Sequence, residues 1–177
     1  MLDTIAKNAA ATKSRPAQRT GLERRALQWV RRFADAKLVE CDGQLWITDN
    51  YRLHAVPAEY AAVLGLARGA VTSTSLNANA EAITIDQSAQ IPGADVVRNL
   101  VNITSDACEL IPQDTQRADG IARFTLNDGT VLLAANYLAD AAADGAVRLS
   151  GVARLKPVHA LDANGNLVAV IMPRSRE

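Results

Sequence analysis

Between residues 20 and 33 the apolar positions recur at helical spacing. At about 100° per residue, Leu22, Ala26, Leu27, Trp29, Val30 and Phe33 fall in one arc. Arg24, Arg25, Gln28, Arg31 and Arg32 fall in the opposite arc. The pattern predicts an amphipathic helix whose apolar arc packs on a core and whose arginine arc faces outward. Thr20-Gly21-Leu22-Glu23 matches a capping box, in which the two side chains satisfy each other's backbone N–H groups. Residues 1–19 are small, polar and basic, with Pro16 near the end, and read as a flexible arm.

The period then changes. Lys37–Cys41 and Gln44–Thr48 flank Asp42-Gly43, a type I′ hairpin signal. Residues 49–56 read as a turn and a short extended piece. Pro57 suits the first turn of a helix over about 57–67, and Gly69 suits its stop. The stretch 70–91 alternates loosely, with its clearest strand at 82–85, and Pro92 opens a loop or short helix over 93–101. Ile121–Leu126 and 130–134 flank Asn127-Asp128-Gly129, a second hairpin. Asn136 is placed to cap a short helix over 137–143 that stops at Gly145. Strands at 146–150 and 152–161 follow, and Asn164-Gly165 turns the chain into a last strand at 167–172. Hairpins separated by single amphipathic helices predict an α+β fold with mainly antiparallel sheets. The same alternation near both ends of the chain is a weak internal repeat. The expected organisation is an arm over 1–19 and two parts, 20–101 and 102–177.

Composition fits this picture. Of 177 residues, 49% are hydrophobic and 21% charged, which excludes wholesale disorder and fibres. No apolar run reaches the length of a membrane-spanning helix, and the N-terminus lacks the apolar stretch of a signal peptide, so a cytoplasmic location is expected. Cys41 and Cys108 form no CxxC pair, so neither a disulfide scaffold nor a zinc site is expected. The overall charge is zero, but residues 1–37 carry nine basic and three acidic side chains. That basic front suits contact with a polyanion such as DNA, or simply a solvated helix face and tail.

Catalytic signatures are missing. The sequence contains no P-loop, no G-x-G-x-x-G and no G-x-S-x-G. His54 and His159 lie far apart with no readable partner spacing, and read as surface or sheet histidines. Asp42, Asp49, Asp86, Asp128 and Asp162 stand in or beside turns, where Asp bonds its own backbone. A non-enzymatic protein without cofactor or metal is expected.

Four segments carry a resemblance. Ile47-Thr48-Asp49-Asn50-Tyr51-Arg52-Leu53 is similar to the strand and turn Ala-Thr-Asp-Gly-His-Arg-Leu of bacterial β-type sliding clamps, the ring-shaped processivity factors of DNA polymerases. Asn50 replaces Gly and Tyr51 replaces His, both mild changes. Val170-Ile171-Met172-Pro173 resembles the family's closing Val-Val-Met-Pro, with Arg174 where the family has Met and Ser175 where it has Arg. Tyr137-Leu138-Ala139-Asp140 looks like the family's Tyr-Leu-Leu-Asp helix start. The run 83–92 resembles its strand into Gly-x-Phe-Pro, with Ile91 for Phe. The segments stand in the family's order.

The resemblance implies a DNA-clamp fold and a hydrophobic pocket for short peptides of DNA polymerases and the clamp loader. That pocket would be formed by Thr48, Asn50, Tyr51, Arg52, Leu53, Pro92, Val97, Val170, Met172 and Pro173. It also implies helices whose basic faces meet double-stranded DNA without reading sequence, here Arg24, Arg25, Gln28, Arg31 and Arg32. The helix near residue 140 departs from that, being acidic through Asp140 and Asp144. The length is that of the family's last two domains condensed, which would suit a phage, and a ring would need more copies in closed head-to-tail contact. Two other functions stay open: a monomeric clamp-like adaptor or inhibitor of replication proteins, and an unrelated α+β DNA-binding accessory protein with a basic arm.

Overall fold

A computed structural model describes residues 20–33, 37–63, 74–77, 84–86, 94–114 and 120–175. The expected arm over 1–19, the stop at Gly69 and Pro92 lie outside them. Helix α1 (Gly21–Val30) starts where the capping box predicts: Thr20 Oγ1 accepts from the Glu23 N–H, and the Glu23 carboxylate accepts from the Thr20 N–H. Ala26, Trp29 and Val30 are buried along one side, and Phe33 joins them after the chain turns out of the helix. Strands β1 (Lys37–Cys41) and β2 (Gln44–Thr48) form the expected hairpin. Asp42 and Gly43 have φ of 51° and 79°, the two positive values a type I′ turn requires.

The chain continues through β3 (Arg52–Ala55), α2 (Ala58–Val63), β4 (Thr74–Asn77), β5 (Thr84–Asp86) and α3 (Ala94–Val101). Then come β6 (Cys108–Glu109), β7 (Ile111–Asp114), β8 (Ile121–Leu126) and β9 (Gly129–Ala134). Helix α4 (Ala135–Ala143), β10 (Arg148–Gly151), β11 (Val158–Leu161) and β12 (Leu167–Ile171) complete it. Three local expectations are corrected. Asn136 does not cap α4, because the helix grows directly out of β9 with Ala134 at the N-cap and no side-chain bond. The strand expected at 152–161 is only β11, since residues 152–157 make turns up to Pro157, which has no N–H to give a ladder. The short strands β6 and β7 were not foreseen.

The strands form an antiparallel sheet of nine, ordered β5-β4-β1-β2-β3-β12-β11-β10-β6, and one of three, ordered β7-β8-β9. The α+β class with antiparallel sheets is therefore the observed one. The weak repeat has a structural form: α1-β1-β2-β3 and α4-β10-β11-β12 are each a helix followed by a three-strand meander. The meanders join along β3 and β12, where Leu53 stands opposite Val170.

Strand alternation puts cores on both faces of the large sheet. On one face Leu38, Leu45 and Ile47 pack with Trp29, Val30 and Phe33 of the α1 segment. Further along that face Val158, Ala160, Ala169 and Ile171 pack with Ala141 of α4 and with Val131 and Leu133 of the small sheet. On the opposite face Val39, Cys41, Trp46, Leu53 and Val170 meet Val97 of α3. Burying a valine such as Val97 contributes about 1.5–2 kcal/mol. His159 Nε2 donates to the Leu100 carbonyl at 2.8 Å and ties β11 to the end of α3. No helix among the described residues is long and apolar enough to cross a membrane.

Candidate functional site

The turn between β2 and β3 is built by its own side chains. Thr48 Oγ1 donates to the Arg52 carbonyl at 2.7 Å and accepts from the Asn50 N–H. Asp49 Oδ1 accepts from the N–H groups of Tyr51 and Arg52. Asn50 takes φ 73°, which Asn tolerates better than other side chains. The result pushes Tyr51 outward, with 64% of its surface exposed. The Met172 N–H then donates to the Tyr51 carbonyl, and the Arg174 N–H to the Leu132 carbonyl, each at 2.9 Å. The segment after β12 thus crosses from the large sheet to the small one.

An open cleft of about 500 Å³ lies at this crossing, with Tyr51, Met172, Pro173, Arg174 and Ser175 on its lining together with Ala134 and Tyr137. That volume is within the range of small-ligand sites. The residues assigned to a peptide pocket from the sequence divide accordingly. Tyr51, Met172 and Pro173 line the cleft. Asn50 is exposed on the turn. Thr48 is buried in the turn, Leu53, Val97 and Val170 are buried in the core on the face of the large sheet opposite Tyr137 and α4, and Pro92 lies outside the described residues. Tyr137 and Arg174 were not in the set. Tyr137 heads a segment that carried the resemblance, and Arg174 stood out as a departure from it.

Arg52 does not reach the cleft surface. It is 4% exposed and donates to Asp49 at 3.0 Å, to Asp140 and to the Arg32 carbonyl. Its guanidinium stacks 4.5 Å from the Phe33 ring centre and 4.4 Å from that of Tyr137. Beside it, Asp144 binds three side chains at once. It accepts from Trp29 Nε1 at 2.9 Å, from Arg32 Nη2 at 2.6 Å and from His54 Nδ1 at 2.9 Å. His54 is wholly buried and sits edge-on to Phe33. With Nδ1 donating, its partnerless Nε2 is a bare lone pair, a smaller burial cost than an orphaned N–H. His159 has the same logic with the nitrogens exchanged. Both histidines are therefore interior sheet residues rather than surface ones. His54 and Asp144 look like two members of a catalytic triad, but nothing bonds to the free His54 nitrogen and solvent does not reach it. The pair works as a clasp between β3, α1 and α4.

The clasp sets a pH dependence. Burial pushes the His54 pKa below its ordinary value, and Asp144 only partly offsets this. Burial raises the Asp144 pKa, but hydrogen bonds from His54 and Arg32 outweigh it and hold the carboxyl below the usual range. Both folded-state values are depressed, so both contributions are complete above the unfolded values. They are lost as pH falls, first through the histidine range and then through the carboxylate range. Urea unfolding from pH 8 to pH 4 is expected to show falling stability beginning below about pH 6.5. Stability that stays flat down to pH 5 would refute this account of His54.

Arg24, Arg25, Gln28 and Arg31 are exposed on α1. Arg32 departs from the expected outward arc. The helix ends at Val30, and the following turn swings Arg32 onto Asp140 and Asp144, at 3.4 and 2.6 Å. The two carboxylates that make α4 acidic are thereby matched by Arg32, Arg52 and His54. Among the described residues no group of three His, Cys, Asp or Glu side chains is placed to hold a metal ion. No protein family matches the chain, and neither a curated protein nor a solved structure does.

Proposed function

We propose that the protein is a non-enzymatic DNA sliding clamp, a ring of several copies that tethers a DNA polymerase to its template through peptides docked beside Met172. The observation that carries this reading is the β3–β12 seam. The segments 47–53 and 170–173, which resemble the β-type clamp, are distant in sequence and run side by side, with Leu53 opposite Val170. Tyr51, Met172 and Pro173 then share one open cleft, where the resemblance calls for a peptide pocket. An apolar floor of this kind suits a Leu or Phe anchor, and Met adapts to several of them. The exposed Arg24, Arg25 and Arg31 of α1 suit phosphate contacts that read no sequence.

Light scattering over a dilution series tests the ring. A discrete oligomer that persists on dilution is expected, and a monomer at every concentration would rule the ring out. DNA affinity should fall steeply with salt, and the double change Arg25→Glu, Arg31→Glu should weaken it at least about tenfold. Unchanged affinity would remove α1 as the DNA face.

A monomeric clamp-like adaptor or inhibitor of replication proteins is the second reading. It is favoured by α4, which is bonded to the α1 segment through Asp140 and Asp144 yet contains no basic residue, and by Arg32, which is turned inward. That protein would bind peptides as a monomer. Met172→Ala is the suitable cleft variant, because Leu53→Ala would instead open a hole in the core.

A further inference from the structure

We propose that the cleft between Tyr51, Tyr137 and Met172 selects an acidic partner, a short peptide whose apolar anchor is flanked by a carboxylate that pairs with Arg174. It rests on the peptide-docking role proposed for the same cleft and adds the chemistry of the occupant.

Among the described residues the cleft has one sign of charge. Tyr51, Tyr137, Met172 and Pro173 supply apolar and aromatic surface, Arg174 supplies a cation, and none of the described lining residues is acidic. Arg174 is exposed, and its backbone is fixed by the bond to Leu132, so the guanidinium springs from a set position at the rim. None of the ion pairs among the described residues engages it. The acids on the turn that carries Tyr51 and on the helix that carries Tyr137 are already engaged. Asp49 is bonded to Arg52, and Asp140 to Arg52 and Arg32. Arg52 also lies against the Tyr137 ring, which makes that wall a poorer host for a second cation. A basic peptide would thus meet a guanidinium with nothing to balance it. A carboxylate beside the anchor would find in Arg174 a partner able to bind both its oxygens.

Arg174 and Ser175 are also positions at which the chain departs from the resemblance drawn from its sequence, which has Met and then Arg there. The cation thereby stands one position earlier in this chain, on the residue whose backbone N–H is tied to the Leu132 carbonyl. It favours the acidic partner and repels the basic one.

The test is fluorescence anisotropy on the full chain with three labelled peptides. Each carries a Leu-Phe anchor flanked by two glutamates, two glutamines or two lysines. The glutamate peptide is expected to bind about three- to tenfold more tightly than the glutamine one, and the lysine peptide most weakly. The preference should shrink between about 50 mM and 500 mM salt, as screening requires. Arg174→Glu should reverse the order of the glutamate and lysine peptides, and Arg174→Lys should retain it in weaker form. A thermal melt of each variant confirms that it is folded. Equal binding of the three peptides, or an order that Arg174→Glu leaves unchanged, would overturn the acidic preference while leaving the docking role standing. No binding by any of the three would overturn both.

Discussion

Replacing Asp144 by alanine is expected to lower stability by about 3 kcal/mol. The carboxylate holds the Trp29 indole, the Arg32 guanidinium and the His54 ring in one place, with its side chain 12% exposed. Removing it leaves the Trp29 N–H and the His54 ring without partners in the interior. A buried polar group left unpaired costs about 1–3 kcal/mol. Arg32 is half-buried and can turn toward water, so its share is the smallest. For a chain of this size the melting temperature should drop by roughly 6–12 °C, which circular dichroism would record. Asp144→Asn should recover part of the loss, because the amide oxygen can still accept from Trp29 while the charge facing Arg32 is gone. A drop below about 1 kcal/mol for the alanine variant would show that the stranded donors find other acceptors, such as a His54 ring nitrogen or water.

Arg52→Ala should be comparably severe, about 3–5 kcal/mol. The change takes a charged partner from Asp49 and from Asp140 and empties the space between Phe33 and Tyr137. It also removes the donors to the Arg32 carbonyl. Arg52→Lys should restore only a fraction, since an ammonium cannot fork to two carboxylates while stacking on two rings. In a double-mutant cycle with Asp140→Ala, urea unfolding should give a coupling of about 1–3 kcal/mol. Coupling near zero would mean that Arg52 stabilises the fold through its ring contacts and Asp49 alone. The prediction also separates two roles for this side chain. The resemblance puts Arg in a peptide pocket, whereas the enclosed Arg52 acts on the cleft from below, by holding Tyr137.

The elements legible in the sequence are those specified by neighbours a few positions apart. The capping box of α1 and the Asp42-Gly43 turn are bonded within three or four residues, and both formed as expected. Gly145, with φ 102°, ends α4 where it was expected to. Elements fixed by distant partners were not legible. β6 and β7 are short, carry Pro112, and pair with β10 and β8 at sheet edges, so their own residues give little sign of a strand. The inward turn of Arg32 needs carboxylates more than a hundred positions away, and on a helical wheel it belongs with Arg25 and Arg31. Three of the seven described lining residues of the cleft were legible as well. Tyr51, Met172 and Pro173 came from the resemblance, while Tyr137 and Arg174 enter it only because the segment after β12 reaches across to β9.

The join of β3 to β12 also bears on how the chain reaches its native state. The middle of the large sheet is closed by strands from opposite ends of the described chain, so its central pairing has one of the largest loop-closure costs in the fold. Local hairpins such as β1–β2 and β8–β9 can form within microseconds, but the seam must wait for a long-range encounter. Until then β3 presents a bare strand edge flanked by apolar side chains that native packing hides, among them Leu53. The species most exposed to aggregation is therefore one in which both meanders have formed and not yet met.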